Sequence, residues 1–200
     1  MDSDNLNLLV VALVSLLVGA ALAAGAIFGW RSWQRRRRQR KREAVITAVA
    51  LSHVRNMLVP DGNGGQLHLD WLLLTTRGLL LLDVRDVSGN VFGAEHMGDW
   101  TVMWGAGRHT FPNPLPLLLD RLAVLSRMVP ELAVEGRILF TEGARFPKGI
   151  PTQCLRIDSL AAEFPIVDPG AAANLESAMA PSWERLLGQL LPNPTEIKPI

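Results

Sequence analysis

One cysteine, Cys154, stands in 200 residues, which excludes an internal disulfide and fits a reducing compartment. No histidine lies near it in sequence, so the thiol reads as a buried structural group rather than an acyl-transfer nucleophile. The chain also lacks an internal repeat, a phosphate-binding glycine loop, a paired CxxC and a GxSxG, and with them the signatures of solenoids, nucleotide-binding P-loops, thiolate zinc sites and nucleophile-elbow hydrolases. His53, His96 and His109 show no ligand spacing. At this length there is room for one ordinary domain and an appendage.

Charge is missing where it matters most. Residues 6–30, LNLLVVALVSLLVGAALAAGAIFGW, carry none over 25 positions, and a helix of that length exceeds the ~30 Å hydrocarbon core of a bilayer. A cleavable signal peptide would carry its basic residues before the apolar run; here MDSDN precedes and RSWQRRRRQRKR follows. Eight of the twenty Lys and Arg lie between Arg31 and Arg42, so the formal charge of +1 hides an acidic remainder. The expectation is a single transmembrane helix with its N-terminus outside and the rest cytoplasmic, with Trp30 and Trp33 at the interface. Membrane lipid is then a partner through residues 6–30 and through the basic run 31–42, which also suits anionic headgroups. Arginine clusters bind nucleic acid as well, a weaker use beside a membrane helix.

Four segments follow: an anchor over 1–30, a basic juxtamembrane segment over 31–42, a domain over 43–165 and a helical tail over 166–200. Val45, Val49, Val54 and Leu58 recur at helical spacing, predicting a helix from Glu43 to Pro60. PDGNGG then breaks the chain. SGNVFG and DWTVMWGAGRHTF predict two short strands, NPLPLLLDRLAVLSRMVP a core helix, and VEGRILFTEG and TQCLRIDSL a strand each. Strands around a helix imply crossover packing, hence an α/β layer. In the tail, Asp168 is an N-cap before Pro169. SWERLLGQLL sets Trp183, Leu186, Leu187, Leu190 and Leu191 on one helix face, for docking on the same domain or for a protein partner.

The most informative stretch is QLHLDWLLLTTRGLLLLDVRD, residues 66–86. With a turn at Thr75-Thr76-Arg77-Gly78, a hairpin pairs residues whose numbers add to 153. Asp70 then faces Asp83 and His68 faces Arg85, ~5 Å apart on one side of the sheet. Two carboxylates that close need a compensating cation: an arginine, a metal ion or a proton. A surface role suits His68 better than ligation, and Trp100 suits the core better than a base-stacking role.

From Glu43 to Leu160 the chain resembles the nuclease-related domain (NERD) family, itself related to the PD-(D/E)xK nucleases. The carriers are a glutamate opening the first helix, LDWLLLTTRGLLLLDVRDVSGNV, Trp100, NPLPL before the second helix, and GRILFTEGA. The resemblance implies a restriction-endonuclease-like mixed sheet flanked by helices. It further implies that Asp70 and Asp83 hold Mg2+ or Mn2+, with Glu43 as helper and Arg85 where the pattern has lysine. Arg85 stays protonated and so is no base, and Leu117 stands where members commonly carry glutamine. The site keeps its acids and loses two polar assistants. Two classes stay open: a metal-dependent nuclease of DNA or RNA at the membrane, and a domain with a weakened or lost phosphodiesterase site, binding nucleic acid or protein. The substitutions favour the second. On that reading the acids form an ion-pair patch with Arg85.

Overall fold

A computed structural model describes residues 3–194, with side chains for all of these except 3–24, 169 and 171. The chain divides into two units, Met1–Glu43 and Ala44–Ile200. Helix α1 (Ser3–Thr47) forms the first and ends within the second. Along it the Trp30 and Trp33 rings lie 5.6 Å apart, and Arg37 covers Trp33 at 5.3 Å. Among the described residues no helix is long and apolar enough to cross a membrane. The span expected over 6–30 gains no support there, and its residues 6–24 fall outside the described side chains.

The second unit is a mixed α/β structure. Its main sheet has the order β10-β1-β2-β3-β7-β9, built from β1 (Ser52–Pro60), β2 (Gln66–Thr75), β3 (Gly78–Arg85), β7 (Val134–Phe140), β9 (Cys154–Arg156) and β10 (Leu191–Pro192). A second sheet, ordered β6-β5-β4-β8, contains β4 (Gly89–Phe92), β5 (Asp99–Trp104), β6 (Gly107–Pro112) and β8 (Ala144–Arg145). The chain leaves β3, builds most of the second sheet, forms helix α2 (Leu115–Met128) and returns as β7, parallel to β3. This is the expected crossover, with a sheet inserted into it.

The helix expected to run to Pro60 stops at Thr47, and residues 52–60 pair with β2 from Ser52–Leu74 to Pro60–Gln66. Val54 and Leu58 are four apart, a spacing in phase with strand and helix alike, so the apolar pattern could not separate the two. The PDGNGG break becomes the β1–β2 turn, in which Asp61 Oδ1 accepts the Asn63 and Gly65 N–H groups at 2.7 and 2.9 Å. DWTVMWGAGRHTF, expected as one strand, is the hairpin β5–β6 turning at Gly105.

The β2–β3 hairpin has the expected register, from Thr75–Gly78 to Trp71–Leu82. Gly78 has φ +117°, and a Cβ there would meet the Ala133 carbonyl at 2.4 Å. Only glycine fits both conditions. Leu72, Leu74, Leu79 and Leu81 face α2 in one core; Trp71, Leu73, Leu80 and Leu82 face a second core closed by Ile46, Val49, Leu160 and Phe164.

Helix α2 starts where Asn113 Oδ1 accepts the Leu115 N–H at 3.0 Å while its amide donates to the Glu95 and Met97 carbonyls. A Cβ at Gly136 of β7 would lie 2.8 Å from Leu122, so this glycine lets α2 lie close on the sheet. Helix α3 (Pro169–Leu187) is capped as expected, Asp168 Oδ1 accepting from Gly170 N at 3.0 Å. Trp183, Leu186 and Leu190 are buried in the α2-side core, and β10 adds to the edge of β1. The apolar face of the C-terminal segment is thus spent on its own unit, with Leu191 left exposed.

Candidate functional site: an acid pair held by two arginines

Asp83 stands in β3 on the face of Leu79 and Leu81, toward α2. It is 6% exposed, and so is Arg121 of α2, whose Nη1 donates to Asp83 Oδ2 at 2.7 Å. Arg85, two residues along the same strand, donates from Nη2 to the same oxygen at 3.0 Å. Arg85 Nε lies 2.9 Å from Asp83 Oδ1, a charge contact without hydrogen-bond alignment, since neither Arg85 Nε nor Arg121 Nε has an acceptor among the described residues. One carboxylate therefore serves two guanidinium groups.

Asp70 has a different position. The β2–β3 pairing ends at Trp71–Leu82, one step short of the acids. Instead of continuing the ladder, Asp70 Oδ2 accepts the Val84 backbone N–H at 2.9 Å. The cause is a break in β1 and β2. Asn56, opposite Asp70 in the register, has φ 54°, a left-handed backbone that asparagine tolerates better than most residues. On the far side of this point Leu69 and Val59 join the core of Leu72 and Leu74, although odd and even positions of a regular strand face opposite ways. The break turns Asp70 toward the edge of β3. Burial, followed by the nearby Asp83 charge, raises its carboxyl to about 6, against the lowering effects of the Val84 N–H, Arg85 and Arg121.

His68 Nε2 hydrogen-bonds Asn56 Oδ1 at 2.9 Å. Burial first and then Arg121 hold its pKa below the ordinary value, with Asp83 opposing. The expected opposition to Arg85 is not formed, because the ladder has already opened. Asp83 nevertheless acts electrostatically on both His68 and Asp70, and Arg85 acts on Asp70. Glu43 closes the first unit, where its carboxylate accepts from Gln39 Nε2 at 3.2 Å. Leu117 is 40% exposed on the first turn of α2.

Arg121 is the member that sequence reasoning missed. A signal existed: Leu118, Arg121 and Leu125 repeat at three and four, so an arginine sits within the buried stripe of a core helix. Buried arginine needs an acid. The other two expectations hold: Cys154 is buried, its thiol pushed up to about 12 first by burial and then by Glu95, and Trp100 is wholly buried.

The residues present do not fit a resident divalent cation. Both arginines neutralise Asp83, and among the described residues no group of three His, Cys, Asp or Glu can hold a metal ion. As it stands the two acids of the cluster are matched by two arginines, which leaves no net negative charge to attract a cation.

The nuclease-related domain pattern matches residues 31–141, a stretch containing β2, β3, α2 and β7. The chain belongs to the nuclease-related domain family. Neither the curated proteins nor the solved structures contain a match to it.

Two outcomes are expected. Arg121→Leu leaves the buried Asp83 with Arg85 as its one guanidinium partner and should cost about 3 kcal/mol in urea denaturation, whereas Asp83→Leu with Arg121→Leu should recover most of that loss. For Asp70 the folded pKa exceeds the unfolded one, so the folded state holds its proton more tightly. The stabilisation is present below about pH 4 and is lost as pH rises to about 6. Its size is on the order of 3 kcal/mol. Asp70→Asn, which still accepts the Val84 N–H, should remove that slope and be the more stable protein at pH 7.5.

Proposed function

We propose that this is a nuclease-related domain whose metal-dependent phosphodiesterase site is weakened or lost, Asp83 having become the anchor of a structural ion pair. The observation that carries this reading is the 2.7 Å bond from the buried Arg121 to Asp83. In a metal site of this type the strand acids must offer free lone pairs to the cation. Here a Mg2+ or Mn2+ ion would have to displace the guanidinium of a buried arginine. Arg85, protonated at every relevant pH, cannot take a proton from an attacking water, and the exposed Leu117 offers no hydrogen bond to a phosphate. A working divalent-metal nuclease of DNA or RNA is the second reading, favoured by the raised pKa of Asp70, since such shifts gather at functional sites.

Calorimetric titration of Mg2+ and Mn2+ into the full chain in neutral detergent decides between them. The native protein should give no binding heat and should not cleave single-stranded DNA, duplex DNA or RNA. Arg85→Lys alone should change neither result, because Arg121 still occupies Asp83. Stoichiometric metal binding by the native chain, with cleavage that Asp83→Asn abolishes, would overturn the proposal in favour of the nuclease.

The proposal extends to location. The uncharged run 6–30, followed and not preceded by basic residues, supports a single-pass anchor with the domain on the cytoplasmic side. The full chain should stay with membranes through alkaline carbonate extraction, and a cytoplasm-dependent reporter fused after Ile200 should be active. Release by carbonate, or activity only of an export-dependent reporter, would reject the anchor or its orientation.

A further inference from the structure

The second sheet presents a solvent face that the acid site does not use. In register across its four strands stand Arg108 of β6, Met103 of β5, Asn90 of β4 and Arg145 of β8. Partners in register point to one side of a sheet, and all four are exposed. The next row holds Thr110, Thr101 and Phe92, with the two hydroxyls 3.5 Å apart and Lys148 Nζ 6.0 Å from the centre of the Phe92 ring. The opposite face, with Val91, Val102 and Trp100, is core.

Charge gives this face its direction. Arg108 and Arg145 form no ion pair among the described residues, whereas Arg77, Arg85, Arg121, Arg137, Arg156 and Arg185 each hold a carboxylate. The only acid within the four strands is Asp99, at the far end of β5 from Met103. Three inter-strand spacings separate the two arginines, ~14 Å.

We propose that this face binds single-stranded nucleic acid. The two guanidinium groups take phosphates on either side of the sheet. Met103 and the Phe92 ring give unstacked bases an apolar platform, and Asn90, Thr101 and Thr110 supply hydrogen bonds to base edges and sugars. A four-stranded sheet of this width accommodates two or three bases. An anionic membrane offers the same phosphate chemistry but requires side chains that insert. Met103 is the only exposed large apolar residue on this face, and Trp104 lies on the other side, its indole against Gly107. The inference does not depend on whether Asp83 supports cleavage, and metal calorimetry does not report on it.

The test is fluorescence anisotropy of a labelled 12-nucleotide oligothymidylate with the full chain in neutral detergent. The basic run 31–42 is the same in every variant, so differences isolate the sheet. Arg108→Ala with Arg145→Ala, both exposed, should keep the native circular dichroism and weaken binding about tenfold at low salt. The slope of log affinity against log salt should become shallower by roughly 1.4, two phosphate contacts at about 0.7 each. Trp104→Ala, on the other face, should bind as the native chain does. Unchanged affinity and slope in the double variant would overturn the proposal. So would tighter binding of a duplex of equal length, or loss of phosphatidylserine-vesicle binding in the double variant with oligonucleotide binding intact.

Discussion

The contact between Asp83 and Arg121 joins the centre of the main sheet to the helix that crosses it. Removing two ions from water costs several kcal/mol each, and their attraction offsets this only with good geometry and saturated hydrogen bonding. The geometry is good at 2.7 Å; the saturation is incomplete, because Arg121 Nε lacks an acceptor among the described residues. An apolar pair would therefore stabilise the core at least as well. What the ion pair adds is registration. Leu118 and Leu125 can slide over a leucine surface at small cost, while Arg121 meets a carboxylate at one rotation and one height of α2. Gly136 permits the approach and the ion pair fixes its position. The second sheet hangs on the same crossover between β3 and α2, so its placement depends on this registration too.

Two aspartates of one type have acquired opposite characters by position alone. Asp83 lies in an unbroken strand and receives the guanidinium groups of Arg85 and Arg121. Asp70 lies at the break made by Asn56, reaches a backbone N–H instead of a guanidinium, and is pushed toward the neutral form by burial. In a metal-binding pair both acids must be ionised together. Here two guanidinium groups occupy one carboxylate and the other is buried against a backbone N–H, an arrangement that opposes joint coordination.

The hairpin was legible in the sequence because a two-residue repeat and Gly78 constrain its register together, although the ladder ends before the expected pairs Asp70–Asp83 and His68–Arg85. What escaped was set by partners distant in sequence. Residues 52–60 have a four-residue apolar spacing common to both periods, and only pairing with β2 makes them a strand. The two residues of β10 carry no signal of their own and exist because β1 has a free edge. Arg121 was visible as an anomaly in an apolar stripe, but its acid lies 38 positions away. The ladder's early end depended on Asn56, whose left-handed backbone no composition rule assigns.

The arginines of the second unit fall into two populations that bear on how such a domain can change its use. Arg85, Arg121 and Arg137, at the main sheet, are bound to carboxylates, so their charge is consumed internally. Those across the second sheet remain available to solvent anions. At physiological salt a charge is screened over ~8 Å, and the two groups share no residue, so neutralising the acid pair alters the outer face little. The acid pair and the outer face of the second sheet can therefore change independently of each other. The separation follows from topology: the crossover that carries Arg121 to Asp83 also carries the second sheet, whose outer face takes no part in the ion pair.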